Sequence, residues 1–166
     1  GPVYFEKNEQ GIDFMDAVRA SASLPLMGHM VKVGRHVCLD GGVANPVPLP
    51  EDLPFATGKT VLVLTRQAGF RKGAQPYVVR RLYRRRYGAH PELLEACLTG
   101  PERYNHRMDE IDRMEAAGEL FVIRPEEPVT VSRAERNVEK LDALYRRGRV
   151  AAEKALPALR QFLEQE

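Results

Sequence analysis

Residues 60–65 read TVLVLT (Thr60–Thr65). The run is apolar between its terminal threonines and rich in β-branched residues, with no regular alternation of polar positions. A strand that shows one face to water alternates, whereas a continuous run is the pattern of a strand buried on both faces of a parallel sheet. LFVI (Leu120–Ile123) is a second run of the same kind. Helical patterns fill the space between them. Pro76–Tyr87 starts on a proline in its first turn, and a shorter helix follows over Pro91–Leu98. Pro101–Ala117 places Tyr104, Met108, Ile111 and Glu115 on one face with Met114 beside them, and Gly118 closes it in the C′ position. Strands alternating with helices define the α/β class.

The pattern continues on both sides. Val3–Phe5 reads as a short strand. Ile12–Ser23 carries Phe14, Met15, Val18 and Ala22 at helical spacing and stops at Leu24-Pro25. Met30–Val33 and His36–Leu39 read as two short strands joined at Gly34. Residues 44–54 hold four prolines and read as an ordered loop or a short helical turn. Downstream, Ser132 and Glu135 form a capping box for a helix carrying Ala134, Val138, Leu141 and Tyr145, with a break at Gly148. A last amphipathic helix then runs to the end, kinked or restarted at Pro157. A sheet centred on TVLVLT and LFVI needs further strands and helices on both faces. The expectation is therefore the C-terminal half of a larger α/β domain. The opening Gly1-Pro2, without an initiator methionine, also reads as a fragment.

The totals limit the function classes. Within 166 residues, 43% apolar and 29% charged, the formal net charge is only +2. That composition fits a globular chain and demands neither a nucleic acid nor a membrane as partner. The two cysteines, Cys38 and Cys97, stand in no metal-binding or disulfide spacing, which fits a reducing compartment. No signal peptide or bilayer-spanning run is present.

Chemistry concentrates in CLDGGVANPVP, residues 38–48. In open α/β sheets ligands sit at the carboxyl ends of strands, and Asp40 follows such an end directly. Gly41 and Gly42 can adopt positive φ and let another group approach closely. The plainer reading is a tight turn, since Asp-Gly and Gly-Gly are turn signals.

ASASLP (Ala20–Pro25), LDGG (Leu39–Gly42) and NPVP (Asn45–Pro48), in that order, resemble the patatin-like phospholipase family. YN (Tyr104-Asn105), FVIRP (Phe121–Pro125), SRAE (Ser132–Glu135) and LYRRG (Leu144–Gly148) resemble a bacterial branch of it. The resemblance implies a serine acyl hydrolase acting on lipid esters through a Ser-Asp dyad without histidine, and no metal or organic cofactor. Asp40 carries over as the catalytic base, with Gly41 and Gly42 as its backbone support. Residues 1–75 would then belong to the catalytic core, and residues 76–166 would be a helix-rich part with one further strand packed on it. The family's Gly-x-Ser-x-Gly elbow and oxyanion loop have no counterpart here. Ser21, Ser23 and Ser132 are the only serines, and none is flanked as an elbow requires. The nucleophile must come from an N-terminal half, so this chain alone is expected to be inactive. An aspartate of ordinary pKa, ~3.9, is a weak base, so most of the rate would come from oxyanion stabilisation in that other half.

His36, four residues before Asp40, could complete a Ser-His-Asp set, but pairing within one strand is unusual and a partly exposed strand histidine is the simpler reading. His29, His36 and Asp40 match no defensible metal spacing, and His90 and His106 lack evident partners. In RRLYRRRY (Arg80–Tyr87), Val79, Leu82, Tyr83 and Arg86 form one stripe, while Arg80, Arg81, Arg84 and Arg85 cover the other sides. A solvated basic face comes first, contact with an anionic lipid surface second, and nucleic acid a distant third. The other alternative for the whole chain is a non-catalytic binding or scaffold protein that kept the fold. The expected location is the cytoplasm, with peripheral contact at the inner membrane. An isolated half would expose strand edges and is expected to self-associate or to bind its N-terminal half.

Overall fold

The computed structural model describes residues 1–6, 9–132 and 135–164. The elements follow in the order α1 (Phe14–Ser21), β1 (Val31–Val33), β2 (His36–Cys38), α2 (Gly41–Ala44), β3 (Thr60–Val63), α3 (Tyr77–Tyr87), α4 (Pro91–Leu98), α5 (Gly100–Ala116), β4 (Leu120–Ile123) and α6 (Val138–Glu164). The chain is mixed α/β. Among the described residues its strands form two separate two-stranded sheets, β1–β2 antiparallel and β3–β4 parallel. They belong to two compact units, residues 1–56 with 71–108 and residues 57–70 with 109–166. The boundary expected at 75/76 therefore falls inside the first unit. Helix α5 gives its residues up to Met108 to one unit and the rest to the other.

In the first unit, Asp13 starts α1 by accepting hydrogen bonds from the N–H groups of Met15 at 2.8 Å and Asp16 at 3.1 Å, satisfying donors that the first turn leaves over. The buried side of α1 is its alanine side. Ala20 is buried with Val31 and Val33 of β1, and Ala17, Phe5, Ile12 and Cys38 pack around them. This corrects the sequence expectation, because Phe14, Met15 and Val18 are exposed. The short hairpin buries only two valines of β1, and small alanines let the helix lie close to them. Residues 3–5 form no strand; Phe5 contributes its ring to this core instead. Gly34, at φ 54, opens the two-residue connection between β1 and β2, a position that favours glycine. Tyr87, at the end of α3, is fully buried. Its hydroxyl accepts the N–H of Leu26 at 3.0 Å and so holds a loop in which Leu26 takes the uncommon φ of 68.

In the second unit, β3 and β4 pair in the register Thr60↔Leu120 to Val63↔Ile123, so the two apolar runs are parallel neighbours as their pattern demands. Helix α6 packs on β4 through Phe162, whose ring lies 5.7 Å from that of Phe121. The Lys59 ammonium sits 5.3 Å from the Phe162 ring centroid and donates to the Phe162 carbonyl at 2.6 Å. Arg124 ties the end of β4 to α5 through Asp112, at 2.9 Å, and Glu115. Gly118, at φ 72, closes α5 as expected. Its own N–H donates to Glu115, and the next N–H, of Glu119, donates to Met114, a pair of bonds that satisfies the last carbonyls.

Burial of both strands on both faces is not met among the described residues. Leu120 is buried, but Val63 is 73% exposed and the remaining strand residues are half-buried. The C-terminal helix is also a correction. It runs unbroken for 27 residues through Gly148 and Pro157; an interior glycine costs about 1 kcal/mol and an interior proline about 3 kcal/mol, and neither ends the helix here. Asn137 caps it, accepting from the N–H of Lys140 at 3.1 Å. Ser132 therefore does not cap it, and Ala134 lies outside the described residues.

Candidate active site

The β1–β2 hairpin delivers the chain to Asp40 at the end of a short strand. Three hydrogen bonds fix the residue. Its N–H donates to the carbonyl of Ser23 at 3.0 Å, just past α1. Its carbonyl accepts from the N–H of Val43 at 3.1 Å. Its Oδ1 accepts from the N–H of Gly42 at 2.8 Å, which makes Asp40 the N-cap of α2. The residue is half-buried, and its other carboxylate oxygen accepts no hydrogen bond among the described residues.

Of the two purposes expected of the glycines, positive φ is not met and close approach is met at Gly42. Neither has positive φ; both lie in the helical turn. At Gly42 a Cβ would stand 3.0 Å from Oδ1 of Asp40, and at Gly41 it would stand 3.4 Å from Oγ of Ser21. Glycine at position 42 provides room for the carboxylate rather than backbone freedom, while a Cβ at Gly41 would make only ordinary contact with Ser21.

The far end of this turn is held by a residue with no local signature in the sequence. Arg103, on α5, donates to the carbonyls of Ala44 at 2.6 Å, Val43, and Ala96 of α4 at 2.8 Å, and its Nε donates to Thr99 Oγ1 at 3.2 Å. One guanidinium thereby satisfies the C-terminal carbonyls of α2 and joins them to α4 and α5. The proline-rich segment that follows α2 is anchored by Leu49, which is fully buried, and by a 3-10 turn over Pro50–Asp52. Asp52 accepts from the N–H of Leu49 at 2.9 Å and pairs with Arg107 at 3.0 Å. Burial alone would push the Asp52 carboxyl up. The Leu49 N–H, the Asn45 side chain and the Arg107 guanidinium together hold it below the usual range.

Asp40 lies in the wall of an open basin of about 1420 Å³. Phe14, Val18 and Val37, all exposed, line it together with Ser21 and Arg103. Of the sequence's serines, Ser21 is thus brought beside the Asp-Gly-Gly turn. Ser23 donates its hydroxyl to the carbonyl of Arg19 at 2.8 Å. His36 shares the basin, but its ring packs edge-on to Phe5 at 6.1 Å and its Nε2 accepts from Arg35 at 3.3 Å. No hydrogen bond joins His36 to Asp40 among the described residues. His29, His90 and His106 are exposed. No three His, Cys, Asp or Glu side chains converge as a metal-binding group among the described residues. Burial pushes the thiols of Cys38 and Cys97 up, with Arg103 partly opposing it at Cys97, which disfavours the nucleophilic thiolate at both.

Arg80, Arg81, Arg84 and Arg85 are exposed on α3, away from the buried Tyr87. No helix among the described residues is long and apolar enough to cross a membrane.

A family model described as a domain of unknown function (DUF6363) matches residues 90–164. No curated protein and no solved structure matches the chain.

Proposed function

We propose that this chain carries the carboxylate base of a patatin-like serine acyl hydrolase that cleaves lipid esters. The observation that supports the reading is Asp40 itself. One oxygen is fixed by the Gly42 N–H and the other is unengaged among the described residues, at the wall of a basin with apolar sides. A general base needs that combination of a fixed direction and a vacant acceptor within reach of the proton it takes. The nucleophile is a serine supplied from outside these residues. Asp40 takes the proton of its hydroxyl as Oγ attacks the ester carbonyl. Collapse of the tetrahedral intermediate expels the alcohol, which takes that proton and leaves an acyl-serine. Water, deprotonated by Asp40 in turn, then releases the fatty acid. Phe14, Val18 and Val37 offer the acyl chain an apolar wall. In this reading β3 and β4 are the C-terminal strands of a larger, mainly parallel sheet, and their unpaired edges accept the strands of the N-terminal half or of a second copy.

The test uses the full-length protein with Asp40 and with Asp40→Asn. Hydrolysis of a short-chain aryl ester falls by about 10²–10⁴-fold in the variant, fluorophosphonate labelling of the serine is lost with it, and circular dichroism is unchanged. Ser21→Ala retains both activities. Equal activity with Asn at position 40 would leave the carboxylate as a helix cap only.

A further inference from the structure

We propose that the outward face of α3 is a docking surface for an anionic lipid bilayer. The helix reads YVVRRLYRRRY and holds five arginines and no acidic residue. The net charge of the whole chain is +2, so the remainder is net acidic and α3 concentrates positive charge on one element. Arg80, Arg81, Arg84, Arg85 and Arg86 are all exposed, and none forms an ion pair among the described residues. Elsewhere on the surface arginines do find carboxylates. Arg19, Arg146 and Arg149 each pair with an acid three or four residues away on the same helix.

The buried side of α3 explains what is left for a partner. Val79 and Tyr83 are half-buried and Tyr87 is fully buried, so they form the inner stripe. Helical spacing then turns Tyr77, Arg81 and Arg85 outward in one row and Val78 and Leu82 in the adjacent row. Tyr77 is 72% exposed, Val78 65% and Leu82 46%. A merely solvated face has no use for exposed tyrosine, valine and leucine among its arginines. A bilayer surface uses each of them. Guanidiniums bind lipid phosphates, tyrosine prefers the interface, and aliphatic side chains enter the acyl boundary while the helix lies in the plane. A nucleic acid would use the arginines but would leave Val78 and Leu82 without a role. This inference does not depend on the chemistry assigned to Asp40, and its test needs no turnover.

The test measures co-sedimentation of the protein, in the Asp40→Asn background so that no lipid is consumed, with two kinds of vesicle. One is phosphatidylcholine alone and the other contains about a third phosphatidylglycerol. Binding is expected to the anionic vesicles and to weaken with salt. Arg80→Gln with Arg81→Gln, Arg84→Gln and Arg85→Gln should reduce it about tenfold or more. Val78→Ser with Leu82→Ser should also reduce it, with every arginine in place. All of these side chains lie on the surface, so circular dichroism should match the parent. Absence of anionic-vesicle binding in the parent overturns the proposal, as does undiminished binding in the arginine variant. So does a valine–leucine variant that binds vesicles as the parent does while single-stranded RNA displaces both.

Discussion

The Leu49 N–H and the Arg107 guanidinium engage the Asp52 carboxylate, and the nearby Asn45 side chain adds to their effect. Because they outweigh burial, the group gives up its proton more readily in the folded chain than in the unfolded one, where its pKa is about 3.9. The stabilisation is therefore present above that value and fades as the pH falls through the lower folded value. Asp52→Asn should cost about 1–3 kcal/mol at pH 7, and the difference should shrink at an acid pH below the lowered folded value. Urea unfolding at the two pH values measures it, and a difference that persists in acid would assign the loss to packing. Asp52 and Asp40 also show what a sequence discloses at this scale. Asp40 announces itself because its partners, Gly41 and Gly42, are its neighbours. Asp52 does not, because its cation is 55 residues away.

At the scale of elements, α2 is only four residues long. A helix that short has no stability of its own, so it stands because Asp40 caps one end and Arg103 holds the other. Arg103→Gln should release the carbonyls of Val43 and Ala44 and speed hydrogen exchange at the Gly42 N–H. Arg103→Lys, which keeps the charge but loses the planar fork of donors, should fall between the two. If neither variant changes that exchange, the Asp40 cap suffices by itself. Local punctuation made several elements legible. Pro91 and Leu98 bound α4 as read from the sequence, Gly34 marks the hairpin, and Gly118 ends α5. The same punctuation misleads in α6, which runs through Gly148 and Pro157 without a break. Apolar spacing misleads in α1, where Phe14, Met15 and Val18 are exposed and Ala17 and Ala20 face the core. Arg103 was invisible because its value lies in contacts with α2 and α4, which only the fold brings together.

For the molecule as a whole, the division into units has a direct consequence for truncation. The segment matched by the family model, residues 90–164, includes β4 but not its partner β3, and includes α4 but not α1–α3. Expressed alone, it should retain helical circular dichroism but lose a sharp cooperative urea transition, whereas the 166-residue chain should unfold cooperatively. A sharp transition in the segment would show that α4, α5, β4 and α6 suffice. The two units were not legible from composition or punctuation. Each is made of two stretches of chain.

The parallel pairing of β3 with β4 also bears on the birth of the chain. Thr60 meets Leu120, so Thr60–Val63 leaves the ribosome sixty residues before the strand that will cover its edge. At about 5–20 residues per second, the nascent strand waits roughly 3–12 s with its backbone unpaired. TVLVLT is a run that an aggregating neighbour would accept readily. The flanking Lys59 and Arg66 place a positive charge at each end during that interval, which is how gatekeeper residues protect an apolar strand they cannot remove.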